Sequence, residues 1–293
     1  VCELLALARV PGPASVAWLE AFHRRGGQLG PHADGWGIAA LTWPRREDGT
    51  TAQAPEVDRY REASPASASA FAATVRARLL EGDGDRKAGS EHAERLVLCH
   101  IRKATQGART LRNTQPFVRE LGGRLHVFAH NGDLPGAEQA FAVERCGPCR
   151  PVGDTDSERL FCALLKALQP LWCAQEPGEV PPLDARMEVV GSVAARARAL
   201  GPANFFYSDG DAVIVHAHER TQPHGAVGPP GLLLRRLPGE GGAPGGLLLA
   251  SVPFTLGGDR TEPGVGEAPW EPLAPGELLA LREGRVVART PPP

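Results

Sequence analysis

Lysine, asparagine and isoleucine are scarce in this 293-residue chain: lysine stands only at 87, 103 and 166, asparagine only at 113, 131 and 204, and isoleucine occurs three times. Their codons are AT-rich, whereas those of the abundant arginine, alanine, glycine and proline are GC-rich, so the skew reads as coding bias. Arginine-rich patches therefore carry little weight as sites, and each rare asparagine stands out. No apolar run reaches the roughly 20 residues that cross a bilayer. A secretory leader is not indicated, because Glu3 sits where positive charge belongs and Pro11 and Pro13 break the apolar stretch. A cytoplasmic chain with no membrane partner is expected. The formal net charge of −2 leaves no electrostatic footprint for nucleic acid. Six cysteines (2, 99, 146, 149, 162 and 173) are too few and too spread for a disulfide framework, so most are expected to be free thiols.

What is present suffices for a core: 42% of the residues are hydrophobic, which excludes a wholly disordered chain. Residues 2–10 read as an apolar strand, followed by a Pro/Gly turn, a helix near 15–25 and a second strand at 35–41. Residues 44–95 read as a helical and loop insertion, with a helical pattern over 66–80 and a loop at 81–90. Short strand-like runs follow at 96–101 and 125–130. Residues 156–168 open with Asp-Ser and carry Leu160, Leu164, Leu165 and Leu168 at helical spacing. A Pro-rich stretch at 176–184, read as flexible, precedes a helix over 185–200. The last 90 residues read as antiparallel strands near 205–208, 212–216, 232–234, 247–252, 278–281 and 285–288, with 238–246 a flexible loop. Strands at both ends and helices between them indicate an α+β fold in one domain over 2–293, with no internal repeat.

Chemistry concentrates in a few segments. Val1-Cys2 fits a GTG start codon, written as Val although the cell inserts Met; its removal would leave Cys2 with a free α-amine. A thiol beside an amine of pKa roughly 8 carries its own base. As a buried strand residue behind an ordinary terminus, Cys2 would be inert. CHIRKATQG (99–107) carries Arg102 and Thr105, NTQPF (113–117) follows, AHNGDL (129–134) places Asn131-Gly132 at a strand end, and GDTDSE (153–158) places Asp156 at a helix start. GPHADGWG (30–37) adds a Gly-rich turn. Taken singly, Asn-Gly is also a hairpin signal, and Thr155, Asp156 or Ser157 could each be a helix cap.

In this order behind a penultimate cysteine, the segments resemble the class II glutamine amidotransferases, N-terminal-nucleophile hydrolases, and within them a short stand-alone branch that includes γ-glutamyl hydrolases of thiol-conjugate pathways. The resemblance runs from CELL at 2–5 to PGELLALREGRVV at 275–287. It implies a four-layer αββα sandwich, no cofactor and no metal. It also implies a glutamine or γ-glutamyl substrate attacked by Cys2, and an oxyanion hole built from the Asn131 amide and the Gly132 N–H. Arg102, helped by Thr105, would hold the substrate α-carboxylate, and Asp156 the α-ammonium. Two alternatives accompany this reading: a glutaminase subunit feeding ammonia to a separate synthetase, and a non-catalytic regulatory module. Lys103 and Gln106 stand where larger members carry Trp and His, and Gln115 where His is frequent. These departures bear on the leaving-group side. His32, Asp34 and Trp36 read as scaffold around Cys2.

Other signals point less sharply. Cys146-Gly-Pro-Cys149 spells a dithiol redox tetrapeptide, but Pro151 blocks the helix such chemistry wants; a regulatory disulfide or half a metal site is the alternative. His216 and His218, with Glu219, form either a metal pair or simply an exposed strand face. Cys99 and Cys162 read as inert core thiols.

Overall fold

A computed structural model describes residues 2–44, 52–84, 95–142, 149–239, 245–257 and 268–292. Most of the 81–90 and 238–246 loops, together with Cys146, lie outside the described residues. In chain order the elements are β1 (Glu3–Ala8), α1 (Gly12–Arg25), β2 (Trp36–Thr42), β3 (Glu56–Glu62), α2 (Ala70–Gly84), β4 (Arg95–Ile101), β5 (Phe117–Leu121) and β6 (Arg124–Gly132). Then come α3 (Ala137–Ala140), α4 (Asp156–Cys173), α5 (Leu183–Arg198), β7 (Ala203–Ser208), β8 (Val213–His216), β9 (Arg220–Thr221) and β10 (Val227–Gly228). The chain closes with β11 (Leu233–Arg236), β12 (Leu247–Ala250), β13 (Glu271–Pro272), β14 (Leu278–Arg282) and β15 (Arg285–Thr290).

Two antiparallel sheets stack face to face between two helical layers, which is the αββα order the resemblance implied. One sheet runs β13-β11-β12-β1-β4-β2-β3 and the other β15-β14-β8-β7-β6-β5. Alternation along each strand sorts the side chains into layers. Leu4, Ala6 and Ala8 of β1 meet Val127 and Ala129 of β6 between the sheets, whereas Leu5 and Leu7 pack outward on Trp18 and Phe22 of α1. Phe128 packs on the other outer face, against Phe161 of α4. β1 is buried on both faces, so its sequence ELLALA is almost continuously apolar.

Helix α4 is built by its leucine stripe and capped by Thr155, whose hydroxyl accepts the Glu158 N–H at 3.3 Å. A cap of this kind is worth about 1 kcal/mol. Because Thr155 fills the capping role, the neighbouring Asp156 carboxylate is released for other work.

The structure departs from the sequence reading in several places. Residues 66–68 form a separate 3-10 turn, and the helix runs from Ala70. The 44–95 stretch also contributes the edge strand β3, paired along its length with β2. Its EVDRYRE sequence hides that role because an edge strand with half-exposed faces carries charge. Cys162 is not a free core thiol: it is disulfide-bonded to Cys149, 13 residues away, with Cα atoms 5.0 Å apart. Cys2, Cys99 and Cys173 are free, Cys99 buried and Cys173 exposed. His216 is not on an exposed face. It is completely buried, its Nδ1 lies 2.7 Å from the Ala203 carbonyl, and its ring stacks on Phe205. No group of metal-ligating side chains occurs among the described residues, and no helix there is long and apolar enough to cross a membrane.

Candidate active site

β1 and β4 are neighbours in the middle of the first sheet, and Glu3 pairs with Ile101. One step further, Cys2 and Arg102 leave the sheet side by side. By the alternation that turns Leu4 and Ala6 inward, Cys2 also faces the layer between the sheets, as does Asn131 at the end of β6. A chain of contacts ties the two sheets together at this end. The Cys2 thiol lies 3.4 Å from the Lys103 carbonyl, Gln106 Nε2 donates to Asp133 Oδ1 at 2.9 Å, and the Leu134 N–H donates to Asp156 Oδ2 at 2.9 Å.

The half-buried Cys2 thiol is pushed up from 9.0 to about 11, chiefly by burial. The Lys103 hydrogen bond and Arg102 pull the other way, and Asp156 adds to the rise. Near neutral pH the group is a thiol and not a thiolate, so attack requires a base. Both Arg102 and Asp156 therefore act on the sulfur, with opposite sign.

Arg102 is 3% exposed, and its guanidinium donates to the carbonyls of Ala108, Gln106 and Gly107 at 2.8–2.9 Å. Burial lowers its pKa. Asp156 is 6% exposed and accepts from Leu134 N–H, from Ser157 N–H at 2.7 Å and from the Ser157 hydroxyl at 3.2 Å. Among the described residues neither forms a salt bridge. A buried cation and a buried anion, neither held in a salt bridge, thus both act on one thiol, with Asp34 the carboxylate that acts on Arg102 from a distance. Unpaired buried charge is expensive, and a ligand bearing both charges would relieve it at both positions. Thr105 is exposed on the loop after Arg102, as is Lys103.

Asn131 is fully buried, yet neither its Nδ2 nor its Oδ1 has a hydrogen-bond partner. The other two asparagines are hydrogen-bonded at both nitrogen and oxygen. Asn113 donates to Ala108 C=O and accepts from Asp154 N–H, while Asn204 donates to Asn131 and Glu219 carbonyls and accepts from His218 N–H. An orphaned amide is costly in a core and useful in a site. Gly132 follows. A Cβ there would lie 1.9 Å from the Pro202 carbonyl oxygen and 2.6 Å from His130 Nε2, so no other residue fits.

The support layer is legible in contacts. Asp34 Oδ2 accepts the Ala104 N–H at 2.8 Å and its Oδ1 pairs with Arg109, which fixes the loop whose Lys103 carbonyl meets Cys2. His32 and Trp36 are buried beside it. The departures at 106 and 115 also find places. Gln106 bridges to Asp133, and Gln115, 4% exposed, binds the His130 main chain. Gln115 thus binds both main-chain groups of His130 on β6. The contacts of Gln115 and Asn204 with backbone groups have no periodic signature in the sequence.

A profile of the family described as class-II glutamine amidotransferases matches residues 1–227. Escherichia coli K12 YafJ, which bears a glutamine amidotransferase name, is 34% identical over 217 residues, spanning 74% of this chain and 72% of that protein. A Haemophilus influenzae Rd protein of the same designation is 31% identical over 219 residues, spanning 74% of this chain and 63% of that protein. Among solved structures, the Bacillus subtilis glutamine phosphoribosylpyrophosphate amidotransferase, complexed with ADP and GMP, superposes with a TM-score of 0.55 at 14% identity, over 99% of this chain and 49% of that one. The shared fold is the N-terminal-nucleophile type of αββα sandwich.

Proposed function

The chain belongs to the class II glutamine amidotransferases, enzymes that hydrolyse or transfer the amide nitrogen of glutamine, and on that premise we propose that it cleaves the γ-amide of glutamine or of a γ-glutamyl compound through a thioester on Cys2. The observation that carries this reading is the pair of buried charges without salt bridges, Arg102 and Asp156, that both act on the thiol. An α-amino acid head complements them, its carboxylate on the planar guanidinium and its ammonium on Asp156. Thr105 lies on the loop that would close beside that carboxylate.

Processing that makes Cys2 the first residue would give it a free α-amine. That amine takes the thiol proton as Sγ bonds to the γ-carbonyl carbon, and passes it to the departing nitrogen as the C–N bond breaks. Burial resists ionisation of the thiol, and a base beside it provides a route for the proton. The Asn131 amide, free of internal partners, and the Gly132 N–H stabilise the oxyanion. Water then adds to the thioester, releasing glutamate and restoring the thiol.

Intact-mass analysis before and after a glutamine-mimicking electrophile tests the reading. The mature protein should begin at Cys2 and gain one adduct there. A chain that still carries residues before Cys2 and takes no label at saturating reagent defeats it, as does a Cys2→Ala protein that still releases glutamate. Comparing glutamine with γ-glutamyl thiol conjugates as substrates separates a γ-glutamyl hydrolase from an ammonia donor to a synthetase. Strong preference for the conjugates excludes the donor role.

A further inference from the structure

Two side-chain amides end on the backbone that carries Asn131. Strand β5 starts at Phe117, opposite Phe128 of β6. Continuing that register would set residue 115 opposite His130, but β5 has already stopped. The Gln115 side chain makes the missing pair instead: its Oε1 accepts the His130 N–H at 2.6 Å and its Nε2 donates to the His130 carbonyl at 3.1 Å. On the other edge of β6, Asn204 lies opposite Asn131. Its Nδ2 donates to the Asn131 carbonyl at 3.1 Å and to the Glu219 carbonyl at 2.7 Å, and its Oδ1 accepts the His218 N–H at 2.7 Å. Both amides are buried.

The Asn131 side chain has no partner of its own, so within the protein its aim depends on its main chain and packing. We infer that Gln115 and Asn204 are positioning residues for the oxyanion-hole amide, acting through the main chain of His130 and Asn131. The inference rests on the function proposed above. It also explains the glutamine at 115. A carboxamide presents a donor and an acceptor side by side, as a peptide does, and so satisfies the N–H and C=O of one residue together. The two nitrogens of an imidazole point away from each other and cannot.

The test uses the full chain with Gln115→Glu, Gln115→His and Asn204→Asp. Turnover of a γ-glutamyl amide is measured beside the affinity for glutamate and for the aldehyde analogue of glutamine, whose carbonyl adds the Cys2 thiol to give a tetrahedral hemithioacetal. Misplacement of a donor by a fraction of an ångström should lower kcat about 10- to 100-fold. KM should stay within about threefold, because the hole acts on the transition state more than on the bound substrate. Affinity for the aldehyde should fall in step with kcat, and affinity for glutamate should hold. If a carboxylate at 115 prevents folding, Gln115→Met keeps the length, removes both bonds and carries the same expectation. Unchanged kcat and aldehyde affinity overturn the inference. So do glutamate and aldehyde affinities that fall together, the mark of general damage. Failure of the wild-type protein to hydrolyse any γ-glutamyl amide or to be labelled at Cys2 is a different result and removes the functional reading itself.

Discussion

Glu3 and Arg25 form a two-pronged ion pair, Nε to Oε2 at 2.7 Å and Nη2 to Oε1 at 2.9 Å, on the residue next to Cys2. Glu3 is 2% exposed, and His32 Nε2 lies 3.7 Å from the same Oε1 that Arg25 Nη2 contacts. While Cys2 turns inward, Glu3 turns outward and ties the start of β1 to the end of α1. Removing one partner of a buried pair leaves the other charge stranded, at about 3–5 kcal/mol. Because Arg25 keeps some solvent contact, Glu3→Ala should fall near the lower end of that range in urea unfolding. Glu3→Gln should lose less, since it keeps the shape and one acceptor. Equal stability of wild type and Glu3→Ala would show that the pair does not secure the strand.

Asn131 should behave in the opposite way. Its amide has no internal partner, so Asn131→Ala removes no hydrogen bond, and its thermal midpoint should match or exceed that of the wild type. Turnover should nonetheless fall about 10²–10³-fold, as for loss of an oxyanion donor. Asn113 is the control. Its amide bridges Ala108 and Asp154, and Asn113→Ala should lose about 1–3 kcal/mol by stranding them. An Asn131→Ala protein with normal turnover would take Asn131 out of the mechanism.

How much of this could be read beforehand differs from residue to residue. Leu160, Leu164, Leu165 and Leu168 announced α4 because a helix records burial at a regular period, and Thr155-Asp156 announced its start. Cys162 misled for the same reason: on the buried side of a helix a thiol and half of a disulfide look alike, and its partner Cys149 arrives from a loop. β3 was missed because an edge strand need not be apolar. The charged pair Arg102 and Asp156 was legible only through the resemblance, since whether a charge is held in a salt bridge is a property of the folded chain. Gln115 and Asn204 act on main-chain groups, which leave no trace in the side-chain pattern.

Without a salt bridge among the described residues, Asp156 is a test of how the head group is bound. Asp156→Asn keeps the shape but removes the negative charge facing the ammonium. A charge-assisted hydrogen bond is worth about 1.5–3 kcal/mol, so KM for glutamine should rise roughly 10- to 100-fold with a smaller change in kcat. A substrate lacking the α-amine should be hydrolysed equally by both proteins. If KM is unchanged while kcat collapses, Asp156 serves the chemical step and not recognition.

Acid should unfold the protein through its buried histidines. His23 and His216 are held neutral by burial at about pKa 3, and His100 lies well below its ordinary value for the same reason. His23 also accepts from Arg76 at 2.8 Å, which a proton there would prevent. In the unfolded chain these groups titrate near 6.5, so below that pH the unfolded state binds protons that the folded state refuses. Stability is complete above about pH 6.5 and declines as pH falls toward 3, by roughly 1.4 kcal/mol per pH unit for each histidine once it is fully protonated in the unfolded state. Urea unfolding between pH 7.5 and 4.5 should show this slope. His23→Gln, which keeps an acceptor for Arg76, should flatten it by one histidine's share. A slope identical in that variant would mean that His23 takes up its proton in the folded state.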